Sequence, residues 1–245
     1  MLKPEILIRK NGDLLAKSFA EHFAHLAIQA IRERGRFLVV LSGGGTPIIA
    51  YHLLAKKPLR EFVPWEQVHL FWGDERYVPQ DDPQSNFWQA REALIQYVNI
   101  PETNIHPMPT DLPPGEAAKS YTQTLRSFAE PNQTSVRFDL VMLGLGSDGH
   151  TASLFPGQSA LWNDLVIATE GNYQGRPATR LTMTPLAFNN SREVVFLVSG
   201  EGKSEALANF LGKIGDADQF PTKAINPIEG RALWMVDADA ANGLA

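Results

Sequence analysis

Four times along the chain a short apolar run ends in glycine followed by polar or charged residues. Phe37–Leu41 leads into Ser42-Gly43-Gly44-Gly45-Thr46, and His69–Trp72 into Gly73-Asp74-Glu75-Arg76. Phe138–Leu143 leads into Gly144-Leu145-Gly146-Ser147-Asp148-Gly149-His150, and Val194–Val198 into Ser199-Gly200-Glu201-Gly202-Lys203. The runs are strand-sized and lack a polar alternation, which marks strands covered on both faces. Helical patterns separate them. Leu15, Phe19, Phe23, Leu26 and Ile31 recur at near-helical spacing within Leu14–Arg34, and Gly35 stops that segment. Thr46-Pro47 opens a helix to Ala55, Ser85 caps one from about Asn86 to Tyr97, and Glu116–Ala129 and Lys203–Leu211 supply two more. Leu165–Thr169 and Thr179–Met183 are weaker strands, and Ala232–Val236 is the last. This alternation predicts an α/β fold: a doubly wound, mostly parallel sheet with helices on both faces, in one domain over residues 1–245. In a parallel sheet the four loops leave one edge, at the carboxyl ends of the strands, where such sheets bind ligands.

Composition narrows the chemistry. The chain has no cysteine, which removes disulfides, thiolate metal sites and a thiol nucleophile together. Its 22 Lys+Arg against 27 Asp+Glu give a net charge of −5, the wrong balance for a duplex nucleic-acid binder. No signal-peptide core and no run long enough to span a membrane is present, so a cytoplasmic protein with neither membrane nor nucleic-acid partner is expected.

The loops nominate residues. Gly43, Gly44 and Gly45 let backbone N–H groups approach a ligand, and the helix opening at Thr46 adds its positive end, which favours an anion or a hydroxyl-rich ligand. No GK[ST] follows, so this is not a nucleotide P-loop. Asp74 and Arg76 lie two apart in an extended segment and point the same way, with Glu75 pointing away. Histidine as a residue type suits general-base work near neutral pH, and His150 sits in a glycine-rich loop that leaves it accessible, with Asp148 two residues earlier to fix its tautomer. The other histidines, His22, His25, His52, His69 and His106, read as packing or solvent residues. Lys203 places a cation at a helix start, where only an anionic ligand offsets the unfavourable dipole.

Two motif matches fail on context. Gly144-x-Gly146-x-x-Gly149 fits a dinucleotide fingerprint, but Pro156-Gly157 interrupts the helix that fingerprint requires. A lipase-type elbow around Ser147 fails because Leu145 stands where glycine is needed. No H-E-x-x-H or carboxylate cluster marks a metal site.

Taken together the segments resemble the 6-phosphogluconolactonases. The resemblance rests on Ser42 to Pro47, Trp72 to Val78 with Asp82, Ser85 and Asn86, Asp139 to Pro156, Arg180-Leu181-Thr182 and Gly200 to Lys203, in order across essentially the whole chain. The related glucosamine-6-phosphate isomerases carry a catalytic glutamate before the proline of the matching stretch, where this chain has Phe155. The resemblance implies hydrolysis of 6-phospho-D-glucono-1,5-lactone in the pentose phosphate pathway, without metal or cofactor, by a monomer or weak homo-oligomer. It implies His150 as the base, oriented by Asp148 or Asp74, and Ser42, Gly43, Gly44, Gly45 and Thr46 around the sugar ring or its oxyanion. Arg76 and Lys203, with Arg180 behind them, are implied for the phosphate. An isomerase/deaminase and a non-catalytic sugar-phosphate sensor are the rival readings.

Overall fold

A computed structural model describes residues 5–131, 133–171, 175, 177–212 and 215–244, so the start of the amino-terminal apolar run, Met1–Pro4, lies outside the described residues. In chain order the elements are β1 (Glu5–Arg9), α1 (Gly12–Arg34), β2 (Phe37–Leu41), α2 (Gly45–Leu54), α3 (Leu59–Phe62), β3 (Val68–Trp72), β4 (Asp74–Arg76), α4 (Asn86–Ala93) and β5 (Ile105–His106). They continue with α5 (Pro114–Ser127), β6 (Leu140–Leu143), β7 (Val166–Glu170), β8 (Thr179–Met183), α6 (Pro185–Phe188), β9 (Glu193–Val198), α7 (Ser204–Leu211) and β10 (Arg231–Asp237).

Seven described strands form a parallel sheet in the order β1-β10-β9-β6-β2-β3-β5. Every residue of β2, β6 and β9 is buried. Successive side chains of a strand point to opposite faces, so both faces of the sheet are covered, as the unalternating runs require. From β2 the chain winds through β3 to β5 at one edge, then returns to β6 and winds the other way through β9 to β10. The reversal between β2 and β6 opens a crevice at their carboxyl ends.

Local chemistry explains the element ends. The Asn11 side chain accepts from the Leu14 N–H to start α1, and Gly35, at φ 76°, closes it in a left-handed conformation that costs a residue with a Cβ. One stripe of α1, Leu15, Phe19, Phe23 and Ala27, is fully buried, and the helix packs on β2, β10 and α2. Each large side chain so buried contributes about 1.5–3 kcal/mol. At the opposite, amino edge of the sheet the Asp139 carboxylate accepts from the Leu38 N–H at 2.8 Å and pairs with Arg34 and Arg192 at 3.0 and 3.3 Å, tying β2 to the approach of β6.

The structure departs from the sequence reading in several places. Asp74-Glu75-Arg76 is not a loop but β4, the edge of a separate three-stranded antiparallel sheet, β4-β8-β7. The weaker strands β7 and β8 pair there and not in the parallel sheet, because a short connection joins them without the crossover that parallel pairing needs. The helix after Ser85 ends at Ala93, and Ile95–Tyr97 is a separate 3-10 turn. Lys203 does not open an α-helix: it ends the one-turn 3-10 segment Glu201–Lys203, and α7 starts at Ser204. His106 sits in β5, stacked on His69 with ring nitrogens 3.2 Å apart, a packing pair as expected of both.

Candidate active site

The crevice between the β2 and β6 ends is a cleft of about 410 Å³. Its walls bring together Ser42, Gly43, Gly44, Gly45, Thr46, Asp74, Arg76, His150 and Lys203, which come from four separate loops and edges. Asp148 and Arg180, also singled out from sequence, are not among the lining residues: Asp148 is exposed and Arg180 is buried.

His150 is held by its own loop. The Gly146 N–H donates to the His150 carbonyl at 2.7 Å, and the Thr151 hydroxyl donates to the Gly144 carbonyl at 2.8 Å, so the turn closes on itself twice. The imidazole Nδ1 lies 2.5 Å from Asp148 Oδ1. Burial alone raises the Asp148 carboxyl, but the hydrogen bond and charge of His150 outweigh it and hold the group below the usual aspartate range. An ionised Asp148 accepts only, so Nδ1 carries the proton and Nε2 is left as the basic nitrogen. Of the two carboxylates that sequence leaves open as the orienting group, Asp148 is the one bonded to the ring.

That packing depends on glycine. A Cβ built on Gly146 falls 2.1 Å from His150 Nδ1 and 2.6 Å from Asp148 Oδ1, closer than atoms can sit. Next to the imidazole, 5.2 Å between centroids, stands the nearly buried ring of Phe155. Ala152, on the cleft wall, has φ 48°, a left-handed conformation that is uncommon for a residue with a side chain and concentrates at functional sites.

Asp74 has a different task. Its Oδ2 accepts from the Ser153 hydroxyl at 2.6 Å, while Asn86 Nδ2 donates to its carbonyl at 2.8 Å. Asn86 also lines the cleft and presses so closely on Gly43 that a Cβ there lies 1.9 Å from Asn86 Oδ1. Glu75, on the other face of β4 as the alternation requires, is buried. It accepts from the backbone N–H groups of Arg76, Asn86 and Phe87 and from the Ser85 hydroxyl, all at 2.6–2.9 Å. Burial pushes its carboxyl up to about 7 against those donors. This knot fastens the start of α4 to the strand that carries Asp74 and Arg76. Sequence reasoning assigned no role to Glu75, Ser153 or Asn86. The Ser85-Asn86 cap was legible, but its partner ten residues earlier was not.

The cationic side has its own geometry. Arg76 donates to the Gln84 carbonyl at 2.8 Å, and in the β4–β8 register it stands directly opposite Arg180. Both are buried. Residues directly opposite each other in an antiparallel pair share a face, so the two arginines leave β4 and β8 on the same side. Among the described residues no group of three or more His, Cys, Asp or Glu side chains is arranged to hold a metal, and no helix is long and apolar enough to cross a membrane.

Comparison with known proteins agrees with this geometry. Residues 10–234 match the family model described as glucosamine-6-phosphate isomerases/6-phosphogluconolactonase. A 6-phosphogluconolactonase of Synechocystis is 41% identical over 99% of both chains, and one of Mycobacterium tuberculosis is 38% identical over 98% of both. Among solved structures, 6-phosphogluconolactonase from Thermotoga maritima superposes with a TM-score of 0.83 at 32% identity, covering 96% of this chain and all of that one. A monomeric glucosamine-6-phosphate deaminase superposes with a TM-score of 0.84 at 21% identity, over 98% of this chain and 99% of that one, a likeness of fold. The chain therefore belongs to the glucosamine-6-phosphate isomerase/6-phosphogluconolactonase family.

Proposed function

We propose that this protein hydrolyses 6-phospho-D-glucono-1,5-lactone to 6-phospho-D-gluconate, with His150 as the general base. The observation that carries the reading is His150, bonded through Nδ1 to Asp148, on the wall of a cleft that also holds Arg76 and Lys203. His150 Nε2 takes a proton from water as its oxygen bonds to the lactone carbonyl carbon. The carbonyl oxygen becomes an oxyanion, facing the backbone N–H groups of Gly43 to Gly45 and the start of α2. Collapse of the tetrahedral intermediate re-forms the carbonyl and breaks the bond to the ring oxygen, which leaves with the proton returned by the imidazolium. The product acid then ionises. Asp148 keeps the imidazole in the reactive tautomer throughout.

Asp74 and Ser42 to Thr46 bind the sugar hydroxyls. Arg76 and Lys203 bind the phosphate, with Arg180 reinforcing Arg76 from the neighbouring strand. Arginine suits a phosphate because its planar fork donates two hydrogen bonds at once, which supports a phosphorylated substrate. In this reading the whole chain acts as one catalytic unit in the cytoplasm, as a monomer or weak homo-oligomer. The related deaminase chemistry needs a second proton carrier, and Phe155, the ring beside His150, cannot move one.

The test is the rate of loss of freshly made lactone, with spontaneous hydrolysis subtracted. His150→Ala is expected to lower kcat by about 10²–10⁴-fold, the usual range for a general base. An unchanged rate removes His150 from the mechanism. Release of ammonia from glucosamine 6-phosphate by the wild type replaces the lactonase reading with the deaminase one. Saturable binding of 6-phosphogluconate with no turnover replaces it with a sensor.

A further inference from the structure

The loop that carries Lys203 is fastened by a buried carboxylate for which the mechanism above has no task. Asp237 closes β10 and is 2% exposed. Its Oδ2 accepts from the Ser199 hydroxyl at 2.5 Å. The Gly200 N–H donates to both of its oxygens, at 3.0 and 3.1 Å, and the Ala240 N–H to Oδ1 at 2.9 Å. Gly200 is at φ 94°, and its carbonyl accepts from the Lys203 N–H at 3.1 Å to close the short turn. Ser199 and Lys203 both line the cleft. Behind Ser199 the space is already full, since a Cβ on Gly12 falls 2.9 Å from Ser199 Oγ.

We infer that Asp237 is a positioning residue for the anion-binding wall of the cleft: it fixes the Ser199–Lys203 turn so that the Lys203 ammonium faces the substrate phosphate, with the Ser199 oxygen set to accept from that ammonium. The proposal rests on the reading that Lys203 binds that phosphate. Two physical consequences follow from the geometry. An ionised carboxylate only accepts, so the Ser199 proton points at Asp237 and the oxygen offers the cleft lone pairs alone. Ser199 is therefore an acceptor, suited to the Lys203 ammonium and unsuited to a bare phosphate oxygen. The second consequence concerns cost. A buried carboxylate is tolerated when its lone pairs are met by donors, and here Ser199, Gly200 and Ala240 meet them with groups of the functional turn and the segment that follows β10. The interaction thus acts on the geometry of the turn and leaves the His150 loop, on β6, untouched.

The experiment measures steady-state hydrolysis of freshly prepared 6-phosphogluconolactone and of glucono-1,5-lactone, which lacks the phosphate, by wild type, Asp237→Asn, Gly12→Ala and Lys203→Ala. Asp237→Asn turns one acceptor into a donor that confronts the Ser199 proton or the Gly200 and Ala240 N–H groups. Gly12→Ala keeps the carboxylate and pushes Ser199 from the other side, and it serves if Asp237→Asn does not fold. Either change is expected to raise KM for the phosphorylated lactone about tenfold, with kcat within about threefold and kcat/KM for the unphosphorylated lactone unchanged. Equal losses on the two lactones, or a fall in kcat with KM unchanged, overturn the positioning role. If Lys203→Ala itself shows no phosphate-selective loss, the phosphate reading falls and this inference with it. If Lys203→Ala shows that loss and both other variants behave as wild type, the positioning role alone falls.

Discussion

The close fit of Gly146 against the imidazole makes a sharp prediction for Gly146→Ala. The added Cβ falls 2.1 Å from His150 Nδ1, 2.3 Å from its Cε1 and 2.6 Å from Asp148 Oδ1, whereas real Cβ atoms keep at least about 3.0 Å from such neighbours. The imidazole, which is the movable partner, must retreat by about 1 Å, which breaks its 2.5 Å contact with Asp148 and moves Nε2 off the attacking water. A misplacement of that size costs about 10²-fold in rate, so kcat is expected to fall roughly 10²-fold. The backbone at Gly146 is not left-handed, and Arg76 on β4 and Lys203 in the turn after β9 stand on other elements, so KM and thermal stability are expected to change little. Gly144→Ala is the control, because nothing lies within 4 Å of a Cβ there, and its kcat is expected to stay within about threefold of wild type. The assay follows freshly generated lactone over seconds. A Gly146→Ala enzyme with wild-type kcat, or a Gly144→Ala enzyme as slow as Gly146→Ala, refutes the claim that the His150–Asp148 geometry limits the rate.

Two further outcomes concern stability. Glu75→Ala leaves the Ser85 hydroxyl and the N–H groups of Arg76, Asn86 and Phe87 without their acceptor; at about 1–3 kcal/mol for each buried orphan, the loss by urea unfolding is several kcal/mol, and a loss below about 1 kcal/mol contradicts the knot described above. Glu193 is held below the usual glutamate range, because the hydrogen bonds and charges of His22 and Arg231 overcome the upward push of burial. Its folded pKa lies below its unfolded one, so the unfolded state binds more protons in acid, and the stability this group supplies above about pH 4.5 is lost as pH falls. Glu193→Gln is expected to flatten the acid side of the unfolding midpoint's pH profile; an unchanged slope below that pH rules out the linkage.

Much of this site was legible in the chain because its chemistry sits at strand ends. Glycine punctuation marks where β2, β6 and β9 stop, and parallel winding does the rest, which is why Gly43 to Gly45, His150 and Lys203 meet although no local pattern links them. Asp74 and Arg76 share a face for the simple reason that strand residues alternate. Short edge strands were not legible: Asp74-Glu75-Arg76 has no apolar periodicity, and β5 is two residues long, so their identity comes from partners far away in sequence. Buried acids were the other blind spot. No local pattern marks Glu75 or Asp237 as buried, and only the converging N–H groups of distant turns reveal that each fastens a loop.

The reversal of winding between β2 and β6 also has a consequence in time. These strands meet through Val39 with Leu140 and Val40 with Val141, a pairing between segments about a hundred residues apart, whose loop-closure entropy must be met before any contact repays it. The glycine turn after β2 and the histidine turn after β6 come face to face only when that pairing forms. A chain synthesised as far as β5 thus carries half a cleft and no base, and a refolding chain regains turnover no earlier than β2 and β6 find each other.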